Sequence, residues 1–182
     1  MFFSQRILLL LFFISTMAFA EPNINEKIHF YKIQGNSGQE LKKQMDTLGP
    51  KTNAQQFNAS TKWIVTWQYG YQEKNHICQL TSLKVDLHIH YLYPRWVNYQ
   101  SSHPTLQQKW NVCLKDLNQH EKGHGKNGKN AATAVEKALL NIPPKTSCQQ
   151  LMITIDNTAN YIIQEYLNKD FQYDQHSQHG RV

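Results

Sequence analysis

The feature that most limits the fold is an unbroken stripe running from Pro104 to about Leu140. Leu106, Trp110, Cys113 and Leu117 step by four, three and four, and the stripe continues through His120, His124, Gly128, Ala131, Val135 and Ala138. That is the repeat of an α-helix with one buried face. Pro104 suits a first turn, where its missing N–H would have no partner, and Ile142-Pro143-Pro144 stops the helix. Two histidines therefore sit on the core side of a long helix.

The elements around it read as strands and shorter helices. "IHFYKIQG" has the β-branched and aromatic content of a strand, and "QELKKQMDTLGP" is a short helix with Leu41, Met45 and Leu48 on one face. "STKWIVTWQYGYQ" alternates, with Trp63, Val65, Trp67, Tyr69 and Tyr71 on one side. After the polar turn "QEKNH", Leu83, Val85, Leu87, Ile89 and Tyr91 share a face opposite Lys84, Asp86, His88 and His90. The pair predicts a long antiparallel hairpin ended by Pro94. His88 and His90 read as exposed polar positions opposite a core face rather than as metal ligands. A last helix opens at the capping box Ser147-x-x-Gln150, with Leu151, Ile155, Ala159, Ile162 and Tyr166 as its stripe, and gives way to the polar tail "QYDQHSQHGRV". The expected class is α+β: an antiparallel sheet with a long hairpin, packed against the histidine-bearing helix and a C-terminal helix.

Residues 1–20 stand apart. Arg6, the apolar run Ile7 to Ile14 and Ala18-Phe19-Ala20 read as a secretory signal peptide, leaving a single mature domain over 21–182. Removing Arg6 lowers the formal net charge from +6 to +5 (6 − 1). The remaining lysines are scattered, which gives no indication of a nucleic-acid surface, and no later segment is apolar enough to span a membrane. The address is therefore exported, periplasmic or secreted, and a disulfide is chemically permissible. Of the three cysteines, Cys113 continues an apolar helix stripe, while Cys78 and Cys148 lie at element ends. A Cys78–Cys148 disulfide with Cys113 reduced follows.

"HEKGH", His120 to His124, carries the chemistry. Residues i and i+4 of a helix stand one above the other, so both imidazoles can reach one ion. Glu121 lies one step round, where its carboxylate can take a proton from a zinc-activated water. The alternative is a pair of core histidines that need hydrogen-bond partners the sequence does not obviously supply. Gly123, Gly125 and Gly128 each weaken the helix by up to about 1 kcal/mol relative to alanine, unless they let another segment or a substrate approach closely. A catalytic zinc takes three protein ligands and keeps one position open. A third histidine six residues past His124 is absent, because that position is Asn130. Glu165, His176 and His179 remain as candidates.

The chain resembles the predicted secreted zinc-dependent proteases of bacteria, catalogued as a domain of unknown function, from Tyr31 to Gly180. The residues that carry the resemblance are "YKIQG", "ELKKQMDTLGP", "WIVTWQY", Cys78, "YPRW", Trp110 ahead of "HEKGH", "PPKTSC" with Leu151, and "YDQHSQHG". The family's tail, Tyr-Asp-x-x-Thr-x-His-Gly, falls on Tyr173, Asp174, Ser177, His179 and Gly180, with Ser177 in place of threonine. The resemblance implies His179 as the third ligand. The resulting expectation is an exported zinc metallopeptidase of zincin-like architecture acting on peptide or protein substrates, with Glu121 as general base and His120, His124 and His179 on the metal. Tyr173 is a candidate oxyanion donor, set against packing on the core. The competing expectation is a non-catalytic periplasmic binding or assembly module that contains zinc.

Overall fold

The computed structural model describes residues 21–52 and 55–177. The predicted signal peptide and His179 lie outside them. Strand β1 (Asn23–Ile33) leads into helix α1 (Gly38–Leu48), followed by the two-residue strands β2 (Lys51–Thr52) and β3 (Gln55–Gln56). The long strands β4 (Ser60–Lys74) and β5 (Ile77–Trp96) come next, then the long helices α2 (Pro104–Leu140) and α3 (Cys148–His176). The class is α+β.

β4 and β5 form the expected antiparallel hairpin, turning at Asn75 and His76, which both adopt positive φ (52° and 59°). That backbone matches the twist of the flanking strands in a two-residue turn. The sheet is mixed rather than antiparallel: its order is β1-β5-β4, and β1 pairs parallel with β5 from Asn23↔Asp86 to Ile33↔Trp96. β1 therefore begins five residues before the predicted "IHFYKIQG", with Asn23 donating to the Asp86 carboxylate at 2.7 Å.

Two details depart from the expected alternation. A register shift at Gly70/Tyr71 reverses the side-chain order, and Tyr71 is exposed instead of sharing the core face of Trp63 and Val65. Pro94 does not end β5. The β4 ladder stops at Ser60↔Leu92, so beyond Leu92 β5 has a neighbour on one side only, where a missing N–H is tolerated.

The helices cover one face of this sheet. Val65, Val85, Leu87 and Ile89 from the strands meet Leu117, Ala131, Ala132, Val135 and Leu139 from α2 and Leu151, Ile155 and Ala159 from α3. A second cluster, Ile33, Leu41, Met45, Trp96 and Trp110, lets α1 close the other end, and Cys113 packs between the two. α2 and α3 are joined by a short turn and lie against each other. Cys78 and Cys148 form the predicted disulfide, with S–S 2.03 Å, and Cys113 is free. The Cys78 strand also pairs with Lys145 through reciprocal 2.8 Å backbone bonds, which fixes the start of α3. Ser147 caps that helix by accepting from Gln150 N at 3.2 Å.

α3 does not stop where the polar tail begins. It continues through Gln172, Tyr173 and Asp174 to His176, which carries those residues alongside α2.

Candidate metal centre

α2 places His120 and His124 one turn apart on the flank that faces α3, and both are buried. Their Nε2 atoms stand 3.2 Å apart. Asp174 Oδ1, from the last turns of α3, lies 3.0 Å from His124 Nε2 and 3.2 Å from His120 Nε2. Three donor atoms thus form a nearly equilateral triangle. A tetrahedral ion with bonds of ~2.0 Å has ligand atoms roughly 3.3 Å apart, so the triangle matches one face of such a coordination shell. Two imidazole nitrogens and one carboxylate oxygen are a donor set suited to zinc and other transition metals. The group could hold a metal ion.

The register between the helices is regular. His120, His124 and Asn127 of α2 are spaced i, i+4, i+7, as are Asp170, Asp174 and Ser177 at the end of α3. The two stripes run antiparallel, so that His120 meets Ser177, His124 meets Asp174 and Asp170, and Asn127 meets Asp170. Tryptophans of β4 set the rotation of α3: Trp63 Nε1 donates to Asp170 at 2.5 Å, and Trp67 Nε1 to Asp156 at 3.1 Å.

The electrostatics follow from this crowding. Burial works against a charge on His124, but its hydrogen bonds to the Asp170 and Asp174 carboxylates outweigh it and push the imidazole pKa up to about 10. Burial would raise Asp174, yet the two histidines hold its carboxyl well below the usual range.

Glu121 faces the sheet instead of α3. It is 4 % exposed, and Thr61 Oγ1 donates to its Oε2 at 2.6 Å and lies 3.1 Å from its carbonyl oxygen. Burial raises its pKa above the usual carboxylate range, against the Thr61 hydrogen bond and the two histidines. A carboxylate poised in this way is suited to accept a proton and return it.

Tyr173 lies flat on the His120 ring (centroids 5.0 Å, 12°) and edge-on to His124 (5.1 Å, 86°). Its hydroxyl sits over Gly123, where a Cβ would collide with the ring. The other two glycines serve a similar purpose. Tyr91 Oη occupies the place of a Cβ at Gly125, and Trp63 Cγ would be 2.7 Å from one at Gly128. The sequence cost of three helical glycines is thus offset by three aromatic rings packed against α2.

Of the candidate third ligands, Glu165 and His176 do not join the cluster. His176 turns back to the Gln172 carbonyl at 2.6 Å. His179 falls outside the described residues, so the expected His120–His124–His179 set is not seen there. Among the described residues Asp174 is the third donor beside the two histidines. Asp174 lies in the polar stretch "QYDQHSQHGRV", where no apolar stripe signals a helix. The helical step was the available signal: carrying the stripe of Ile162 and Tyr166 forward by fours reaches Asp170 and Asp174.

Fold and site together define an α+β protein with a helix-borne candidate metal centre. The chain belongs to the family described as "Bacterial protein of unknown function (DUF922)", whose model matches residues 28–180. No curated protein and no solved structure matches it. Among the described residues no helix is long and apolar enough to cross a membrane.

Proposed function

We propose that this protein is an exported zinc metallopeptidase of zincin-like type, in which His120, His124 and Asp174 hold the ion and Glu121 is the general base. The observation that carries this reading is the convergence of the three donor atoms within 3.0–3.2 Å beside a buried glutamate on the same helix. When bound, zinc would lower the pKa of a water it holds to about 7 and polarise a carbonyl oxygen. Glu121 accepts the proton of the attacking water at its carboxylate, kept basic by burial, and returns it to the leaving amine. Thr61 fixes the glutamate's rotamer through Oε2. The Tyr173 ring shields the histidines from bulk water on one side. The resemblance to predicted secreted zinc-dependent proteases favours a peptide bond as the substrate. The disulfide favours an oxidising compartment, periplasmic or extracellular.

One observation favours a second reading. The Thr61 hydroxyl, donating to the Glu121 carboxylate and lying against its carbonyl, ties β4 to α2, which is what a purely structural glutamate would do in a non-catalytic zinc-containing module. Glu121→Gln separates the two, since it keeps size, helix propensity and the metal donors but removes the proton acceptor. The expected result is a folded, zinc-loaded protein whose hydrolysis of an unstructured protein substrate falls by roughly 10²-fold or more. Cleavage equal to wild type, or a zinc-loaded wild type that cleaves nothing, hands the site to the structural reading.

A further inference from the structure

The proposed metal centre needs three donors, yet besides the stacked Tyr173 ring α3 brings Asp170, Asp174 and Ser177 to the two histidines, and of these three only Asp174 is a donor. We propose that the other two, Asp170 and Ser177, are positioning residues that select the ring tautomers of the two histidines, so that both present Nε2 to the ion. The proposal rests on the reading of His120, His124 and Asp174 as metal ligands.

An imidazole can bind a metal only through a nitrogen that carries no proton, and the hydrogen bond at its other nitrogen decides which one that is. At His124, Nδ1 lies 3.1 Å from Asp170 Oδ1. That carboxylate is surrounded by donors: Asn127 Nδ2 gives to Oδ1 at 2.7 Å, and Trp63 Nε1 gives to Oδ2. It can only accept from His124, so the histidine proton stays on Nδ1. Asn127 also donates to the Tyr166 carbonyl at 2.8 Å, which holds it in the orientation that serves Asp170.

At His120, Nδ1 lies 3.2 Å from Ser177 Oγ. A hydroxyl has a single proton, and the short 2.6 Å bond to the Tyr173 carbonyl uses it. Ser177 is thereby left as an acceptor, and His120 must keep its proton on Nδ1 as well. Both rings are locked the same way by one face of α3, which leaves both Nε2 atoms, beside Asp174 Oδ1, as the positions that take the ion. Threonine would supply the same hydroxyl at 177, whereas alanine would leave the His120 ring free to flip or change tautomer.

The test measures zinc affinity of the full mature chain by chelator competition, together with the proton and nitrogen NMR signals of the two rings in the zinc-loaded protein. Asp170→Ala is expected to weaken zinc binding about 10–100-fold and to expose the His124 Nδ1 proton to fast exchange. Asp170→Asn preserves volume but sets an amide NH2 against existing donors, and should lose affinity in the same direction. Ser177→Ala should have a smaller effect confined to His120, and Ser177→Thr should behave as wild type. If Asp170→Asn and Ser177→Ala both bind zinc as wild type and keep protected Nδ1 protons, the proposal is overturned, whether or not Asp170→Ala folds. Hydrolysis is read separately, so zinc held through both Nε2 atoms in a protein that cleaves nothing upholds the clamp and removes the peptidase reading.

Discussion

On α2 the chemical groups His120, Glu121 and His124 fall within one turn of a helix buried against the sheet, whereas on α3 Asp170, Asp174 and Ser177 spread over the last two turns. The first set is fixed by packing: all three side chains are buried, and Tyr91 and Trp63 press on the same helix at Gly125 and Gly128. The second is polar and half-buried, held by hydrogen bonds to the two histidines, to Trp63 and Asn127, and to its own helix backbone. α2 therefore supplies a rigid half-site, and α3 supplies the half that a metal would help to assemble.

The largest effects should come from removing a donor on either side. His124→Ala and Asp174→Ala are each expected to lower zinc affinity by more than the roughly 100-fold upper figure for supporting residues. They should differ in the metal-free protein. His124→Ala removes the imidazole that the half-buried Asp170 and Asp174 carboxylates share, so the fold loses stability. Asp174→Ala removes a partly exposed group from the assembling half and should change the unfolding midpoint less. Chelator competition and urea denaturation read the two quantities, and equal destabilisation would erase the distinction between the halves.

The disulfide sharpens the comparison from the far end of α3. Cys78–Cys148 closes a separation of 70 residues at the helix start, about six turns from Asp170. Replacing both cysteines by serine should cost about 2–5 kcal/mol of stability while leaving zinc affinity of the folded protein within a few-fold of wild type. A proportionate loss of affinity would mean that the bonds of Trp63 and Asn127 do not anchor the near end by themselves.

How far these features could be read from the sequence follows the same division. Trp63, Val65, Leu87 and Ile89 announce their strands because a hydrophobic alternation is a local signal, and the stripe from Trp110 to Val135 announces α2 likewise. The parallel pairing of β1 with β5 brings together residues some sixty positions apart, a contact no local period encodes. The bulge that exposes Tyr71 depends on a single glycine. Asp174 was hidden for a different reason: its stretch has helical spacing but no apolar residue on the stripe after Tyr166, so a reading based on hydrophobicity stops there. The partners of the buried stripe on α2 were themselves polar.

Two glycines on α2 allow a smaller test of the same contrast. Alanine favours a helix over glycine by about 1 kcal/mol. At Gly123 a new Cβ meets the outer end of the Tyr173 ring, which is 36 % exposed and free to swing away. At Gly128 it meets Trp63 at Cγ and Cβ, 2.7 and 2.9 Å away, on a side chain only 8 % exposed. Gly123→Ala should be near neutral in stability, and Gly128→Ala destabilising by about 1–3 kcal/mol. Denaturation midpoints that shift together would show that the Tyr173 ring is held as firmly as the sheet-facing one.

The smallest expected effect carries the sharpest consequence. Ending the chain at Ser177 keeps Asp170, Asp174 and Ser177 but removes His179, the residue that the family tail motif implies as a ligand. If His120, His124 and Asp174 complete the protein's share of the shell, the shortened protein should bind zinc within about tenfold of the mature chain, because a catalytic site takes three protein ligands and leaves the fourth position for water. A loss greater than that, retained in His179→Ala, would add a fourth protein ligand to the three donors already gathered. Four protein ligands close a tetrahedral site and leave no position for water. Glu121 would then have no proton to accept, and its bonds to Thr61 would be its whole role. Zinc affinity after a cut at Ser177 thus distinguishes an open centre from a closed one without any knowledge of the substrate.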